Sequence, residues 1–129
     1  MSNKQFIKTF FEKVLETEEY NDDFIRNSVD KDYIQRVDGK SLGYEEFVQH
    51  IKLLKTKIST CTIEFLTLVE EGEIVFSNHI VSLTLKNGKQ GKSHVIAEFR
   101  IRDGKLYYCD ELTFLIEGSE KDKNLGSEH

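Results

Sequence analysis

Apolar residues recur at helical spacing near the start of the chain. They form one wide face behind Ser2 and Asn3, either of which can cap a helix. The members of this face are Phe6, Ile7, Phe10, Phe11, Val14 and Leu15. The spacing predicts an amphipathic helix, and residues 20–28 predict a second, shorter one.

A short strand and a third helix are expected next. Residues 32–38 alternate between apolar and polar positions, which predicts a short edge strand closed by Gly39. After Gly43 the helical spacing returns, and Glu45 and Glu46 would complement the dipole of the first turn. The apolar face of this helix comprises Tyr44, Phe47, Val48, Ile51 and Leu54.

The second half of the chain consists of four long β-rich runs. They cover approximately residues 60–69, 73–86, 92–102 and 105–117. Asn87-Gly88 and Asp103-Gly104 connect successive runs and are strong hairpin signals, so an antiparallel meander is expected. At about 3.3 Å per residue the second run would exceed ~40 Å, which is too long to stay flat on a small domain. We therefore predict an α+β fold with a curved sheet around the helices.

The length of 129 residues predicts one domain over residues 1–117, followed by a polar tail at 118–129 that is mobile or loosely docked. Hydrophobic residues at 38% and charged residues at 32% are typical of a globular protein. The net charge of −5 argues against electrostatic capture of nucleic acid or of an anionic membrane.

Targeting signals and cysteines indicate a cytoplasmic protein. The N-terminus lacks the apolar stretch of a signal peptide, and no run approaches the ~20 apolar residues of a membrane span. Cys61 and Cys109 are too few for a disulfide framework or a zinc site. They are either two reduced, buried cysteines or a pair, because both lie on predicted strands.

Three segments carry a resemblance to a known family. They are Gln35-Arg-Val-Asp-Gly39 leading into Tyr44-Glu-Glu-Phe-Val-Gln-His-Ile51, Phe99-Arg-Ile-Arg-Asp-Gly-Lys-Leu106, and the ending that begins Cys109-Asp-Glu-Leu-Thr113. With this order of elements, the chain resembles the SnoaL-like branch of the NTF2-like superfamily, in particular a subgroup of small bacterial proteins without assigned activity.

The resemblance implies a cone in which three N-terminal helices pack on a curved, mainly antiparallel sheet. It also implies a pocket on the concave face of the sheet and often a homodimer through the outer face. Such folds include steroid isomerases, polyketide cyclases, epoxide hydrolases, dehydratases and non-catalytic interaction modules, so the fold does not define the function.

The ketosteroid isomerase pattern is not reproduced. By that pattern the aspartate base would fall near Arg36 or Val37, the tyrosine near Phe11 and the protonated aspartic acid near Ala97. None of these side chains can transfer a proton or donate to an oxyanion in those roles. This argues against that particular chemistry.

Asp110 and Glu111 are adjacent on the last run, so their side chains point to opposite faces of the sheet. Periodicity alone favours burying the face of Asp110, which also carries Leu106, Leu112 and Phe114. The resemblance implies the opposite, with Glu111 facing the cavity, and we follow it. A buried carboxyl group is a candidate functional site.

Alternation on the neighbouring runs predicts which side chains share that cavity with Glu111. His79 is assigned to the concave face, while His50 would approach from the third helix and Gln35 from the short strand. A carboxylate beside an imidazole can transfer protons, because burial raises the pKa of the acid and histidine titrates near neutrality. The alternative is a structural His–Glu hydrogen bond in a polar core.

The predicted site therefore has Glu111 as base and His79 or His50 as its partner. The other expected pocket residues are Gln35, Tyr44, Phe11, Phe47, Ala97, Phe99, Cys109 and Thr113. No ligand spacing supports a metal site at His50, His79 and Glu111, and no phosphate or dinucleotide motif occurs, so no metal or cofactor is expected.

Two functions remain open at this stage. The first is binding of an unknown small apolar molecule, with isomerase, cyclase or dehydratase chemistry that needs no cofactor. The second is a non-catalytic dimerisation or protein-interaction module. Neither nucleic acid nor membrane is an expected partner.

Overall fold

The computed structural model describes residues 2–117, and the predicted tail at 118–129 lies outside the described residues. Three α-helices occur in residues 2–117: α1 at Asn3–Phe11, α2 at Asp22–Ser28 and α3 at Tyr44–Lys57. The Ser2 hydroxyl caps α1 by accepting from the Gln5 amide at 3.1 Å. A π-helical turn at Glu12–Glu16 continues α1. None of the described helices is long and apolar enough to cross a membrane.

The described residues form one mixed sheet of six strands in the order β2-β1-β6-β5-β4-β3. The strands are β1 at Val29–Val37, β2 at Lys40–Leu42, β3 at Ile58–Glu71, β4 at Ile74–Leu85, β5 at Gln90–Arg102 and β6 at Lys105–Glu117. Strands β3 to β6 form the predicted antiparallel meander. The α+β prediction is confirmed, with α3 placed after the first two strands.

The prediction of an edge strand at residues 32–38 is wrong. Strand β1 begins at Val29 and lies between β2 and β6, parallel to β6. Asp38 and Gly39 have φ angles of 51° and 87°, which suit a tight hairpin turn into β2. Strand β2 has only three residues, which are too few to show the alternation of apolar and polar side chains that predicts a strand. The pairing of β1 with β6 joins residues that are far apart in the sequence, so no local sequence pattern predicts it.

The three helices cover the concave face of the sheet and form the core with it. From β5, the buried side chains are Val95, Ala97, Phe99 and Ile101, as alternation predicts. From the helices, Ile7, Phe10, Phe11, Phe47 and Ile51 belong to the same cluster. The outer face of the sheet carries exposed apolar side chains, among them Phe76, Ile96, Leu112 and Phe114.

Candidate functional site

A cavity of about 450 Å³ lies between the concave face of the sheet and the helices. This volume is within the range of pockets that hold small molecules. The buried part of its lining includes Tyr33, Gln35, His79, Phe99 and Cys109. Exposed residues line the opposite end and define the mouth: Glu16, Thr17, Glu18, Ser59, Thr60 and Thr62.

Most of the side chains predicted from the sequence line this cavity. They are Glu111, His79, His50, Gln35, Phe11, Phe47, Phe99, Cys109 and Thr113. Tyr44 and Ala97 do not line it. Tyr44 is the first residue of α3 and is only half-buried. Ala97 lies on β5 between Ser77 of β4 and Glu111 of β6, and its short side chain is fully buried in the hydrophobic core.

Glu111 is held by a hydrogen-bonded chain that crosses from β1 to β6. The Gln35 Nε2 donates to Glu111 Oε1 at 3.0 Å, and the Tyr33 hydroxyl donates to Gln35 Oε1 at 2.8 Å. The parallel register, which sets Gln35 opposite Cys109 and Val37 opposite Glu111, brings these side chains together. Because Tyr33 occupies the amide oxygen, Gln35 presents its NH₂ group to the carboxylate.

The pKa of Glu111 is raised to about 7, mainly by burial and also by the charge of Asp38, while the hydrogen bond from Gln35 opposes both effects. Asp38 is fixed beside Glu111 because its carboxylate accepts from the Thr113 amide at 2.8 Å and from the Thr113 hydroxyl. Its own amide donates to the Glu111 carbonyl at 2.9 Å. A carboxyl group with a pKa near neutrality can serve as acid or as base.

His79 is buried and electrically neutral near pH 7. Burial lowers its pKa to about 4, and His94 adds to the effect. Its Nδ1 lies 2.6 Å from the Ser77 hydroxyl, and the rings of Phe11 and Phe65 pack at 5.1 Å and 5.6 Å from its own. His79 can therefore donate or accept a hydrogen bond from a ligand, but as a neutral imidazole it is not a general acid at neutral pH.

The structure brings Glu111 and His79 into one cavity, but the two side chains do not share a hydrogen bond. In the register of the sheet, Glu111 on β6 lies level with Ser77 on β4, whereas His79 on β4 lies level with Thr113 on β6. Strand β5 lies between these two strands. The spacing of a sheet then separates their Cα atoms by roughly 12 Å. Alternation identified the correct face for His79, and the family resemblance did so for Glu111, but the level of each residue along its strand is given only by the register of the sheet. His50, buried on α3, also lines the cavity.

Sequence reasoning missed Lys55 and Cys61 at the mouth. The Lys55 Nζ donates to the backbone oxygens of Leu15, at 3.2 Å, and of Thr17. Burial lowers the pKa of Lys55. Lysines near the end of α3 are an ordinary dipole signal, so nothing in the sequence distinguished this one.

The thiols are not activated nucleophiles. Burial raises the pKa of Cys61 to about 12, with a further contribution from Glu16, and burial also raises the pKa of Cys109. Both thiols are free in the described part of the chain. Within residues 2–117, no three His, Cys, Asp or Glu side chains gather as a metal ion would require.

Comparison with known proteins adds one relative by sequence and several by structure. The uncharacterised protein C11D3.04c of Schizosaccharomyces pombe is 33% identical over 103 residues, which cover 80% of this chain and 79% of that protein. No family model matches the chain.

Two solved structures with the same fold are named as candidate polyketide cyclases. IdmH from Streptomyces antibioticus has a TM-score of 0.73 at 12% identity, over 88% of this chain and 92% of its own. A SnoaL-like protein from Jannaschia sp. CCS1 has a TM-score of 0.70 at 12% identity, over 86% and 84%. The chain therefore belongs to the family of the fission-yeast protein, and it shares its fold with IdmH and with the SnoaL-like protein from Jannaschia.

Proposed function

We propose that this protein binds an apolar small molecule in its cavity and that Glu111 transfers a proton on that molecule. The observation that carries the proposal is a carboxyl group with a pKa raised to about 7, held by Gln35 in an aromatic-lined cavity. Perturbed carboxyl groups in such pockets are typical of acid–base sites.

The chemistry needs no cofactor. As a carboxylate, Glu111 removes a proton from a carbon beside a carbonyl group, and the ligand keeps the electron pair as an enolate. Return of the proton to another atom completes an isomerisation. Attack of the enolate on a second carbonyl closes a ring, and the alkoxide that forms takes the proton back from Glu111. In a dehydration the enolate expels a β-hydroxyl group, which leaves as water with the proton from Glu111. The neutral ring of His79, or His50 on α3, would hydrogen-bond the ligand.

The rest of the lining supports an apolar ligand. Phe11, Phe47 and Phe99 contribute aromatic surface, while the polar groups of the buried part are few and mostly hydrogen-bonded to each other. The two solved structures of the same fold carry the name polyketide cyclase, and ring closure on an apolar carbon skeleton is one reaction that Glu111 could serve.

Thermal-shift titration with α-tetralone, an aromatic ketone, tests cavity binding. Val81 is half-buried and lines the cavity, so Val81→Trp should fill it and abolish the rise in melting temperature seen with the wild type. Val69 lies on β3 with 54% of its surface exposed, outside the cavity lining, so Val69→Trp is the matched control and should respond normally. An equal response of Val81→Trp and wild type would overturn the proposal.

A second function rests on the outer face of the sheet. We infer that the convex patch, defined as Phe76, Ile96, Leu112 and Phe114, forms a homodimer interface. Leu112 and Phe114 are 63% and 70% exposed, and Ile96 lies opposite Leu112 in the register of β5 and β6. Contiguous apolar surface of this kind marks association sites. A non-catalytic dimerisation module is therefore the alternative function.

A cytoplasmic location remains a prediction of the sequence. The free thiols of Cys61 and Cys109 are consistent with a reducing compartment.

A further inference from the structure

The mouth of the cavity carries a cation with unused hydrogen-bonding capacity. An ammonium group has three N–H donors, and Lys55 directs two of them to the carbonyls of Leu15 and Thr17. Within residues 2–117, no Asp or Glu carboxylate forms an ion pair with its Nζ. Lys55 is half-buried, so its charge is less screened by water than that of an exposed lysine.

The groups around Lys55 suit a single negative charge. The thiol of Cys61 faces the same mouth and carries no charge, because its pKa is raised to about 12, mainly by burial. Glu16 and Glu18 also line the mouth, but the Glu16 carboxylate is occupied by the Ile63 amide at 3.1 Å. Their charge would disfavour a dianion more strongly than a monoanion.

The cavity extends from this mouth to Glu111 through an apolar middle. Leu54, Ile58 and Leu83 line the part next to Lys55. On β4, Leu83 lies opposite Cys61 of the mouth, and Ser77 lies level with Glu111. Leu83 and Ser77 are six residues apart, which corresponds to roughly 20 Å along the strand. A ligand that fills this space is elongated, with its ends in different chemical surroundings.

We propose that Lys55 binds the anionic group of an amphiphilic monoanion, such as an apolar carboxylic acid, whose uncharged end reaches Glu111. This inference rests on the proposed function, because it assigns a substrate class to the same cavity. It makes Lys55 the specificity-determining residue, since Lys55 distinguishes an acid from its uncharged counterpart.

A matched pair of fluorescent probes tests the inference. 1-Anilinonaphthalene-8-sulfonate and N-phenyl-1-naphthylamine share one ring system, and only the first carries an anionic group. Lys55→Gln keeps N–H donors for the two carbonyls but removes the charge. It should weaken sulfonate binding about tenfold or more, the range of a charge-assisted hydrogen bond, and leave the uncharged probe within about twofold.

Lys52→Gln is the matched control, because Lys52 lies on the same helix over the Tyr20 ring, 5.2 Å from its centroid, and outside the cavity lining. It should leave both affinities unchanged. If Lys55→Gln does not fold, Thr17→Glu provides the second variant. It keeps Lys55 and places a carboxylate at an exposed position of the mouth whose backbone oxygen accepts from Lys55, and it should weaken the sulfonate selectively.

The outcomes separate this inference from the function on which it rests. Equal effects of Lys55→Gln on the two probes, or no effect on either, would overturn the anion subsite and leave Lys55 as a cap for the turn above it. If Val81→Trp leaves both affinities unchanged, the probes do not use the cavity, and the proposed function fails as well.

Discussion

Gln35 donates a hydrogen bond to Glu111 across the parallel pairing of β1 and β6, with 3.0 Å between Nε2 and Oε1. This contact opposes the two effects that raise the pKa of Glu111, burial and the charge of Asp38. It also occupies one carboxyl oxygen, so Oε2 is the atom left to take up and release the proton. The remaining features of the candidate site follow from this geometry.

Removing the Tyr33 hydroxyl should raise the pKa of Glu111 further. In Tyr33→Phe nothing holds the Gln35 oxygen, so the amide can turn that oxygen to Glu111 and accept from its protonated form. Carboxyl ¹³C NMR of Glu111 measures the titration midpoint directly. Tyr107→Phe, which removes an exposed hydroxyl bonded to Glu73, is the control. An unchanged or lower midpoint in Tyr33→Phe would show that Tyr33 does not position Gln35.

Glu111→Gln should stabilise the protein at alkaline pH. The folded pKa of about 7 exceeds the ordinary 4.5, so the native state binds more protons between these values, and wild-type stability falls as pH rises through this window. The variant should gain up to about 3 kcal/mol at pH 8 and little below pH 4.5. Urea unfolding at both pH values measures the difference, and Glu64→Gln, at an exposed position of β3, controls for net charge. A variant less stable than wild type at pH 8 would contradict the assignment.

His79 should show the opposite dependence on pH. Its folded pKa of about 4 lies below the ordinary 6.5, so the unfolded state binds more protons in between, and stability is lost as pH falls from 6.5 towards 4. Imidazole NMR should give a midpoint near 4, and His94→Gln should move it upward, because the charge of His94 is the smaller cause. A His79 midpoint near 6.5 in the wild type would mean that the ring is hydrated.

The convex patch predicts a homodimer that one charge can dissociate. Leu112→Asp places a carboxylate at a position that is 63% exposed, so the monomer should keep nearly all of its stability. Sedimentation velocity should show a dimer for the wild type and a monomer for Leu112→Asp. Gln49→Asp, at an exposed position of α3 on the opposite side of the sheet, is the control and should remain dimeric. A monomeric wild type would exclude the interface.

The sequence predicts the parts of this fold that have local signals. Helical spacing, the caps, and the Asn87-Gly88 and Asp103-Gly104 turns identify the helices and the meander. The pairing of β1 with β6 has no such signal, because it joins Gln35 to a strand more than seventy residues away. That pairing is what fixes the surroundings of Glu111.

For the candidate site, too, the sequence predicts some features and only the three-dimensional structure gives the others. Alternation assigns His79 to the concave face, but only the register of β4, β5 and β6 separates it from Glu111. Lys55 enters the cavity lining because the backbone of residues 15–17 folds over the end of α3. The spacing of residues along the sequence does not predict the contact between Lys55 and this backbone segment.

Deuterium exchange detects proton transfer by Glu111 without knowledge of the natural substrate. α-Tetralone is incubated in D₂O near neutral pH with the wild type or with Glu111→Gln, and mass spectrometry follows deuterium entering the carbon beside the carbonyl. Exchange should be faster with wild type and should stay at the background rate with Glu111→Gln. Equal acceleration by the two proteins, or exchange at the background rate with wild type while the ketone is bound, would contradict proton transfer by Glu111.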